Sequence, residues 1–329
     1  MKLQILVPQY KETEDIIQPL LDSIEIQQGI DKNDIGVVIV NDSSDVHLSR
    51  DFLNKYSYRI DYYTDDKRNK GVSATRNACL DYATADYVMF CDADDMFYHI
   101  CGLYTIFQEI EKGFDTLVSE FLEELREENS QGQRYTTHAF DSTFVHGKVH
   151  RRQYLKDKNI QWNENLTLHE DAYFNTLCQK LTDSVTYCSN PFYLWKWRDN
   201  SVCRSDPHWV MNTFEHCIAG NDALVDELLK RGISDAAKRI ATSAIYRTYL
   251  MMNTPEWINQ KDKKHRTLTE NRIRDFYLKY EDLFNAFSQI DRIKIQGEAK
   301  KEVGNPDIVL TFEEWLVQIG VYRTDNKEV

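Results

Sequence analysis

The first hundred residues alternate short apolar runs with segments of helical periodicity, and this alternation constrains the fold more than any other feature of the chain. The predicted strands are residues 3–7, 36–40, 59–63 and 87–91. Between strands, apolar residues recur at helical spacing over residues 15–27 and 72–83. This βαβαβαβ pattern indicates a mainly parallel sheet covered by helices on both faces. We therefore predict an α/β fold.

Polar clusters follow three of the predicted strands, at residues 8–11, 41–44 and 92–95. The carboxyl ends of parallel strands meet at one edge of a sheet, and ligands bind there in open α/β folds. The last cluster holds three aspartates within four residues. Because like charges this close repel, we expect a group that compensates them. A solvated turn is the alternative interpretation, since aspartate is a common turn residue.

The remainder of the chain has a less regular pattern. Two strands and one helix are predicted over residues 115–121, 183–188 and 170–181, respectively. From Pro207 onward the apolar spacing becomes helical, with a first amphipathic run closed by Gly232. Thr311 and Glu314 form a capping-box pattern before a further apolar run. We place a domain boundary near Pro207, followed by a helical region over residues 207–329.

Composition excludes several classes of protein. The net charge of -13 disfavours sequence-independent binding to nucleic acid, although a local basic groove stays open. The sequence shows neither a leader pattern nor the roughly 18 consecutive apolar residues of a membrane span, so we predict a cytoplasmic protein. The seven cysteines show no C-x-x-C spacing, which predicts reduced thiols with packing roles.

Five motifs occur in one order: "ILVPQYKE", "VVIVNDSSD", "GVSATRNACL", "YVMFCDADD" and "HEDAYF". In this order and at these spacings the chain, over about residues 3–201, resembles the family 2 glycosyltransferases, which have the GT-A fold. The resemblance implies a GT-A-type, Rossmann-like catalytic domain over residues 1–206, with a nucleotide-sugar-binding half (1–100) and an acceptor half (101–206). It also implies inverting, metal-dependent transfer of a hexosyl or N-acetylhexosaminyl group from a nucleotide-sugar, most simply a UDP-sugar, to a hydroxyl acceptor.

The aspartate cluster matches the D-x-D motif of that family. The resemblance implies that Asp94 binds a divalent cation, Mn²⁺ or Mg²⁺, directly. Asp92 would also contribute to the metal site, or contact the ribose or a metal-bound water, and Asp95 would lie toward the sugar with a catalytic role. Hard cations prefer oxygen ligands and bridge carboxylates to phosphates, so the metal would be the compensating group.

Donor binding is implied for residues of the first three motifs. Pro8 and Tyr10 would contact the nucleobase, with Tyr10 stacking on its ring, and Asp42 would accept a hydrogen bond from uracil N3–H. Arg76 and Asn77 would lie near the diphosphate, where an arginine supplies charge-assisted hydrogen bonds. The structural alternatives are a strand-ending proline, a turn aspartate and an exposed helical arginine.

The Glu-Asp pair of the last motif is implied to serve the acceptor. Asp171 would be the general base that takes the acceptor proton, with Glu170 in a supporting or acceptor-binding role. The alternative is that both residues only stabilise a helix N-terminus. Weaker candidates lie near the donor or acceptor: Trp195, Trp197, Arg198 and Ser201, and on the acceptor side His146, Lys148, His150 and His169.

Several partners stay open at this point. The acceptor is a growing glycan, a lipid-linked sugar, a protein or a modified nucleobase. The helical region forms a homo-oligomer, binds the acceptor or touches a membrane surface. Two other functions are considered: a catalytically inactive sugar-binding or scaffold protein, and a sugar nucleotidyltransferase. The nucleotidyltransferase function lacks support, because the segment "VPQYKETED" after the first strand has no glycine-rich signature with a basic residue.

Overall fold

The computed structural model describes residues 1–42, 44–64, 70–199, 201, 212–260 and 262–322. In it the chain forms two units, Met1–Ser201 and Val202–Val329. The predicted boundary near Pro207 lies outside the described residues.

The first unit contains two sheets. Its strands are β1 (Leu3–Gln9), β2 (Ile35–Asn41), β3 (Arg59–Thr64), β4 (Tyr87–Phe90), β5 (Met96–Phe97), β6 (Thr116–Ser119), β7 (Phe121–Glu124), β8 (Tyr135–His138), β9 (Lys148–Arg151), β10 (Val185–Cys188) and β11 (Tyr193–Trp195). The larger sheet has the order β10-β6-β9-β4-β1-β2-β3, and the smaller has the order β5-β11-β7-β8. In the larger sheet only β9 runs antiparallel to its neighbours. The predicted mainly parallel sheet is therefore confirmed.

Helices cover both faces of the larger sheet. They are α1 (Glu14–Glu25), α2 (Arg50–Leu53), α3 (Val72–Tyr82), α4 (Gly102–Lys112), α5 (Arg152–Asp157) and α6 (Glu170–Lys180), with a 3₁₀ turn at Lys32–Asp34. The apolar face of α1 packs with Leu3, Ile5 and Val7 of β1 in one core. On the opposite face Phe90 of β4 packs edge-on against Phe174 of α6. Because alternate residues of a strand are buried on opposite faces of the sheet, strands covered on both faces have continuous apolar runs in the sequence.

The predicted strand over residues 115–121 is wrong as a single element, because the chain divides there into β6 and β7. Ser119 donates its N–H to the Gly147 carbonyl (2.9 Å), while Glu120 donates to the Cys188 carbonyl (3.0 Å). A Cβ on Gly147, whose φ is +68°, would meet the Ser119 carbonyl oxygen at 3.3 Å. This close backbone approach marks the point where the chain leaves one sheet for the other.

The described part of the second unit is helical, as predicted. Its helices are Phe214–Lys230, Ser234–Met252, Pro255–Ile258, Lys263–Asn285, Gln289–Glu302 and Phe312–Gln318. Gly232, at φ +77°, follows the first helix, and Thr311 with Glu314 forms the predicted capping box. None of the helices in the described ranges has the length and apolar character needed to cross a membrane.

The cysteines differ in their environments. Cys79, Cys91, Cys178 and Cys188 are buried, in agreement with a packing role. Cys101, however, is exposed at the N-terminus of α4, so the packing role predicted for it is wrong. Cys203 lies outside the described residues.

Candidate active site

The candidate active site lies at the carboxyl edge of the larger sheet. Gln9 at the end of β1 is paired in register with Asn41 at the end of β2, and Leu6 of β1 is paired with Phe90 at the end of β4. The polar segments that follow these three strands therefore start at neighbouring positions. The amino ends of α3 and α6 supply the remaining side chains.

Arg76 of α3 joins three of the five motifs through its guanidinium. Nη1 donates to Asp171 Oδ1 (2.6 Å) and Glu170 Oε1 (3.1 Å), and Nη2 donates to Asp92 Oδ1 (3.1 Å). The guanidinium carbon lies 4.5 Å from the ring centroid of Trp162. Burial alone would lower the pKa of Arg76, but the three carboxylates raise it, so the side chain stays charged. One buried cation thus contacts three carboxylates from two segments that are distant in the sequence.

Asp171 lies in the first turn of α6, but its contacts are tertiary. Oδ1 accepts from Arg76 and Oδ2 accepts from the Val145 N–H (2.9 Å). The helix starts after His169, which has a left-handed conformation (φ +63°) and makes no side-chain capping hydrogen bond. The contacts therefore do not support a capping role for Asp171.

Burial has a large effect on the acidity of the Glu-Asp pair. It raises the pKa of Asp171, and the positive charge of Arg76 opposes this increase. Burial, followed by the charge of Asp171, raises the pKa of Glu170 to about 7. A carboxyl group with a pKa of about 7, such as that of Glu170, takes up a proton near neutral pH, which suits it to proton transfer.

The raised pKa of Glu170 predicts a pH-dependent effect on stability. Its pKa is about 7 in the folded chain against an ordinary value of 4.5, so ionisation of Glu170 destabilises the fold as the pH rises between these values. In Glu170→Gln this contribution is absent. We expect the melting temperature of the variant, relative to that of the unsubstituted protein, to increase as the pH rises through this window. Melting curves of both proteins below pH 4.5 and above pH 7 measure this change. A difference in melting temperature that stays constant with pH would contradict the raised pKa of Glu170.

Asp92 and Asp94 both lie partly exposed at the edge of the site. Asp92 is one-third exposed, and its Oδ1 is bound by Arg76; Asp94 is 29% exposed, and its Oδ2 accepts from Arg198 Nη1 (2.8 Å). Within the described residues, the second oxygen of each carboxylate has no hydrogen-bond partner. Asp92 and Asp94 belong to one turn, and carboxylate oxygens are the ligands that Mg²⁺ and Mn²⁺ prefer. These residues therefore fit a divalent cation.

Asp95 has a different environment, because it is fully buried. Its Oδ2 accepts from the Tyr193 hydroxyl (2.5 Å) and its Oδ1 from the Lys196 N–H (2.9 Å). Burial and the charges of Asp94 and Asp92 raise its pKa well above the usual range. One ligand atom each from Asp92, Asp95 and His146 lie within 4.8 Å of one another. Since Asp95 is fully buried whereas Asp92 and Asp94 are partly exposed, Asp92 and Asp94 are the better metal ligands.

The nucleobase candidates occupy the ends of β1 and β2. Pro8 is paired in register with Val40. Tyr10 beyond the strand end is 42% exposed, and Lys11 Nζ lies 4.9 Å from the centroid of its ring. Asp42 is buried, and its two oxygens accept from the backbone N–H groups of Lys70 (2.9 Å) and Gly71 (3.0 Å). Asp42 therefore holds the chain at the start of α3, a contact that the sequence did not indicate.

Asn77 is not brought to the carboxylates. Its Oδ1 accepts from the Trp162 N–H (2.8 Å), and its Nδ2 donates to the Trp162 carbonyl (3.0 Å) and to Glu164 (3.0 Å). Through these bonds Asn77 holds the segment that places the Trp162 ring against Arg76. Its role in the structure is therefore to position Trp162.

The weaker candidates are distributed around the site. The ring of Trp195 lies 5.0 Å from that of Phe144 and 5.1 Å from that of His146. Lys148 is buried and donates to the His146 carbonyl (3.0 Å), and burial lowers its pKa to about 8. The other placements are as follows: His150 beside Thr116, His169 before α6, Trp197 beside Glu124 and Asp199, and Ser201 donating to the Arg198 carbonyl.

Three residues of the site were not identified from the sequence. Tyr193 binds Asp95, and Trp162 lies against Arg76. Glu12 accepts from the Tyr10 N–H (2.6 Å), and burial raises its pKa beside Asp94 and Arg198. Of the three, Glu12 falls in the first motif. Tyr193 lies in β11 and Trp162 lies outside the strands, and buried aromatic residues at both kinds of position resemble core residues.

Comparisons with known proteins agree with this arrangement. The sequence matches the model of "Glycosyl transferase family 2" over residues 4–180. It is 34% identical over 98 residues to the poly(ribitol-phosphate) beta-glucosyltransferase of Bacillus spizizenii, covering 29% of this chain and 15% of that protein. It is 22% identical over 289 residues to the poly(ribitol-phosphate) beta-N-acetylglucosaminyltransferase TarS of Staphylococcus aureus, covering 79% of this chain and 48% of TarS. The chain thus spans less than half of the length of either relative.

The fold also resembles solved structures. The crystal structure of S. aureus TarS 1-349 in complex with UDP-GlcNAc matches with a TM-score of 0.64 at 19% sequence identity, covering 92% of this chain and 92% of that chain. At this level of identity the match shows a common fold.

Proposed function

Because the chain belongs to the family 2 glycosyltransferases, we propose that it transfers a sugar from a UDP-sugar to a hydroxyl acceptor by an inverting, metal-dependent single displacement. That the chain is a glycosyltransferase follows from its family. The observation that supports the finer assignment is the contact of Arg76 with Asp92, Glu170 and Asp171. It joins the candidate metal site to the candidate base in one buried network.

The proposed reaction needs one proton acceptor and one stabilised leaving group. The acceptor hydroxyl attacks the anomeric carbon, its O–C bond forms as the bond to the diphosphate breaks, and its proton goes to a carboxylate. Asp171 is the proposed base: Arg76 and Val145 orient it, and a carboxylate with one hydrogen bond on each oxygen retains lone pairs for a proton. A divalent cation held by Asp94 and Asp92 would supply electrostatic stabilisation of the departing diphosphate.

The proposed donor specificity rests on the ends of β1 and β2. The exposed ring of Tyr10 can stack on any base, whereas a carboxylate such as Asp42 discriminates by accepting a hydrogen bond. Although Asp42 accepts from two backbone groups, each of its oxygens has a further lone pair. Uracil N3–H is a donor, whereas cytosine N3 is an acceptor. The TarS complex with UDP-GlcNAc, a protein of the same fold, is consistent with a uridine donor.

We expect UDP to bind more tightly than CDP or GDP in the presence of Mn²⁺. One hydrogen bond to a charged group contributes about 1.5–3 kcal/mol, which corresponds to roughly a tenfold to hundredfold preference for uracil over cytosine. Calorimetric titration with each of the three nucleoside diphosphates measures this preference. The matched variant Asp42→Asn tests the cause, because it should reduce the ratio between UDP and CDP. Equal affinities for the three nucleotides would contradict the assignment of Asp42.

The proposed acceptor is a hydroxyl of a glycan or of a polyol-phosphate polymer. Its support is the names of the two relatives, which act on poly(ribitol-phosphate). The test is incubation of the chain with UDP-glucose or UDP-GlcNAc, Mn²⁺ and a ribitol-phosphate oligomer, with the product mass as the readout. A mass increase of one hexose or one N-acetylhexosamine is expected. If UDP release by hydrolysis occurs without any such product, the polyol-phosphate assignment is wrong while the donor assignment stands.

A further inference from the structure

The helix Gln289–Glu302 of the second unit packs through one face only. Ile295 and Ala299 are buried on this face, where the helix contacts Ser234–Met252. Two ion pairs flank the contact, Arg239 with Glu298 (2.5 Å) and Arg247 with Glu302 (3.2 Å). Glu298 and Glu302 lie in the last turns of the helix, and the two ion pairs neutralise their charges within the unit.

The opposite face of this helix combines exposed isoleucines with lysines. The side chains of Ile290 and Ile293 are 67% and 61% exposed. With a spacing of 3.6 residues per turn, the same face carries further exposed residues, Lys294, Gly297, Lys300 and Lys301. In the described ranges none of these lysines forms an ion pair. The third acidic residue of the helix, Asp291, accepts from the capping Ser288 at the flank. We refer to these six residues as the Ile-Lys face.

We propose that the Ile-Lys face docks on the surface of a bilayer that contains anionic lipids. Amphipathic helices at a membrane surface insert apolar side chains at the acyl boundary, and lysines on the same face reach the lipid phosphates. Two isoleucines bordered by three lysines have this arrangement. The net charge of -13 does not prevent docking, because at physiological ionic strength charges beyond about 8 Å are largely screened.

A bilayer fits this face better than a second copy of the chain. A two-fold symmetric contact would place the three lysines of one copy against the same three of the other, which is unfavourable. The face also offers six residues, whereas a stable protein interface uses roughly 20–30 residues on each side. The proposal does not depend on the donor or acceptor of the transfer reaction.

The test is flotation of the whole chain with vesicles of phosphatidylcholine alone and of phosphatidylcholine mixed with phosphatidylglycerol. We expect the chain to float with the mixed vesicles at physiological salt and to dissociate at about 1 M salt. Each lysine near an anionic surface contributes roughly a fivefold factor in partitioning. Lys294→Glu/Lys300→Glu/Lys301→Glu should therefore reduce binding by at least about a hundredfold, and Ile290→Ser/Ile293→Ser should also reduce it.

Matched substitutions on another surface are the control. Ile26, 57% exposed in the first unit, is changed to serine, and the exposed Lys156 to glutamate. These variants should float like the unsubstituted chain, and all variants should keep its melting temperature.

Three outcomes would overturn the proposal. They are absence of binding to the mixed vesicles, binding that the Ile-Lys substitutions leave unchanged, and a self-association in sedimentation experiments that these substitutions abolish. The last outcome would assign the face to a second copy. Loss of binding in the lysine variant alone, together with competition by soluble polyphosphate, would assign it to a soluble polyanion and also overturn the membrane assignment.

Discussion

Replacing Asp171 with asparagine is expected to lower the rate of sugar transfer by about 10²- to 10⁴-fold while UDP still binds. The asparagine has the same size but no longer takes up a proton. Its amide group also faces two donors, Arg76 Nη1 and the Val145 N–H, and can accept from only one of them through its oxygen. A stability loss of about 1–3 kcal/mol should therefore accompany the effect on rate. Transfer rate, UDP affinity and melting temperature are measured on one preparation.

Glu170→Gln is the matched control for Asp171→Asn. It also removes a carboxylate that contacts Arg76, at 3.1 Å, in the adjacent position of the same helix turn. If Asp171 is the base, its variant should lose at least about ten times more of the rate than the Glu170 variant. If Asp171 only positions Arg76, UDP affinity should fall in parallel with the rate. A stable Asp171→Asn enzyme that transfers sugar at the normal rate would show that the base is another group, and Glu170 and Asp95 would be examined next.

Asp94→Ala is expected to abolish transfer and to remove the increase in UDP affinity that Mn²⁺ produces. The variant loses a carboxylate that would hold the metal, and it leaves Arg198 without the partner seen at 2.8 Å. Calorimetric titration of UDP with and without Mn²⁺ measures the metal-dependent part of binding directly. This readout does not require a known acceptor.

The variant Arg198→Ala distinguishes the effect of losing the ion pair from the effect of losing a metal ligand. It removes the same contact from the other side but leaves the Asp94 carboxylate in place. We expect the metal-dependent increase in UDP affinity to persist in this variant. If Asp94→Ala keeps the increase as well, Asp94 is not a metal ligand, and Asp95 with His146 beside Asp92 becomes the grouping to test.

The regular elements of the first hundred residues follow from the sequence, because their formation depends on local periodicity. The four predicted strands agree with β1–β4, and the two predicted helices agree with α1 and α3 to within a few residues. The common edge of the sheet also follows, since parallel strands joined by helices place their carboxyl ends together. The ordered motifs identified the family, which the match over residues 4–180 confirms.

The contacts of the individual site residues depend on the tertiary structure, because they join positions far apart in the chain. Arg76 binds carboxylates 16, 94 and 95 residues away, and Tyr193 binds Asp95 across 98 residues. The spacing of apolar residues along the chain does not predict contacts between residues so far apart. The division of residues 115–121 between two sheets has the same origin, since it depends on the distant Gly147 and Cys188.

The sequence by itself therefore determined the α/β class, the family and the segments that meet at the sheet edge. The tertiary structure decided what each charged side chain does there: Asp42 holds the backbone before α3, Asn77 positions Trp162, Asp95 is buried against Tyr193, and Asp171 contacts Arg76 instead of capping α6. The physical reason is that secondary structure follows from the spacing of apolar residues along the chain. The charge state and partners of a buried polar group follow from its surroundings in three dimensions, which distant segments supply.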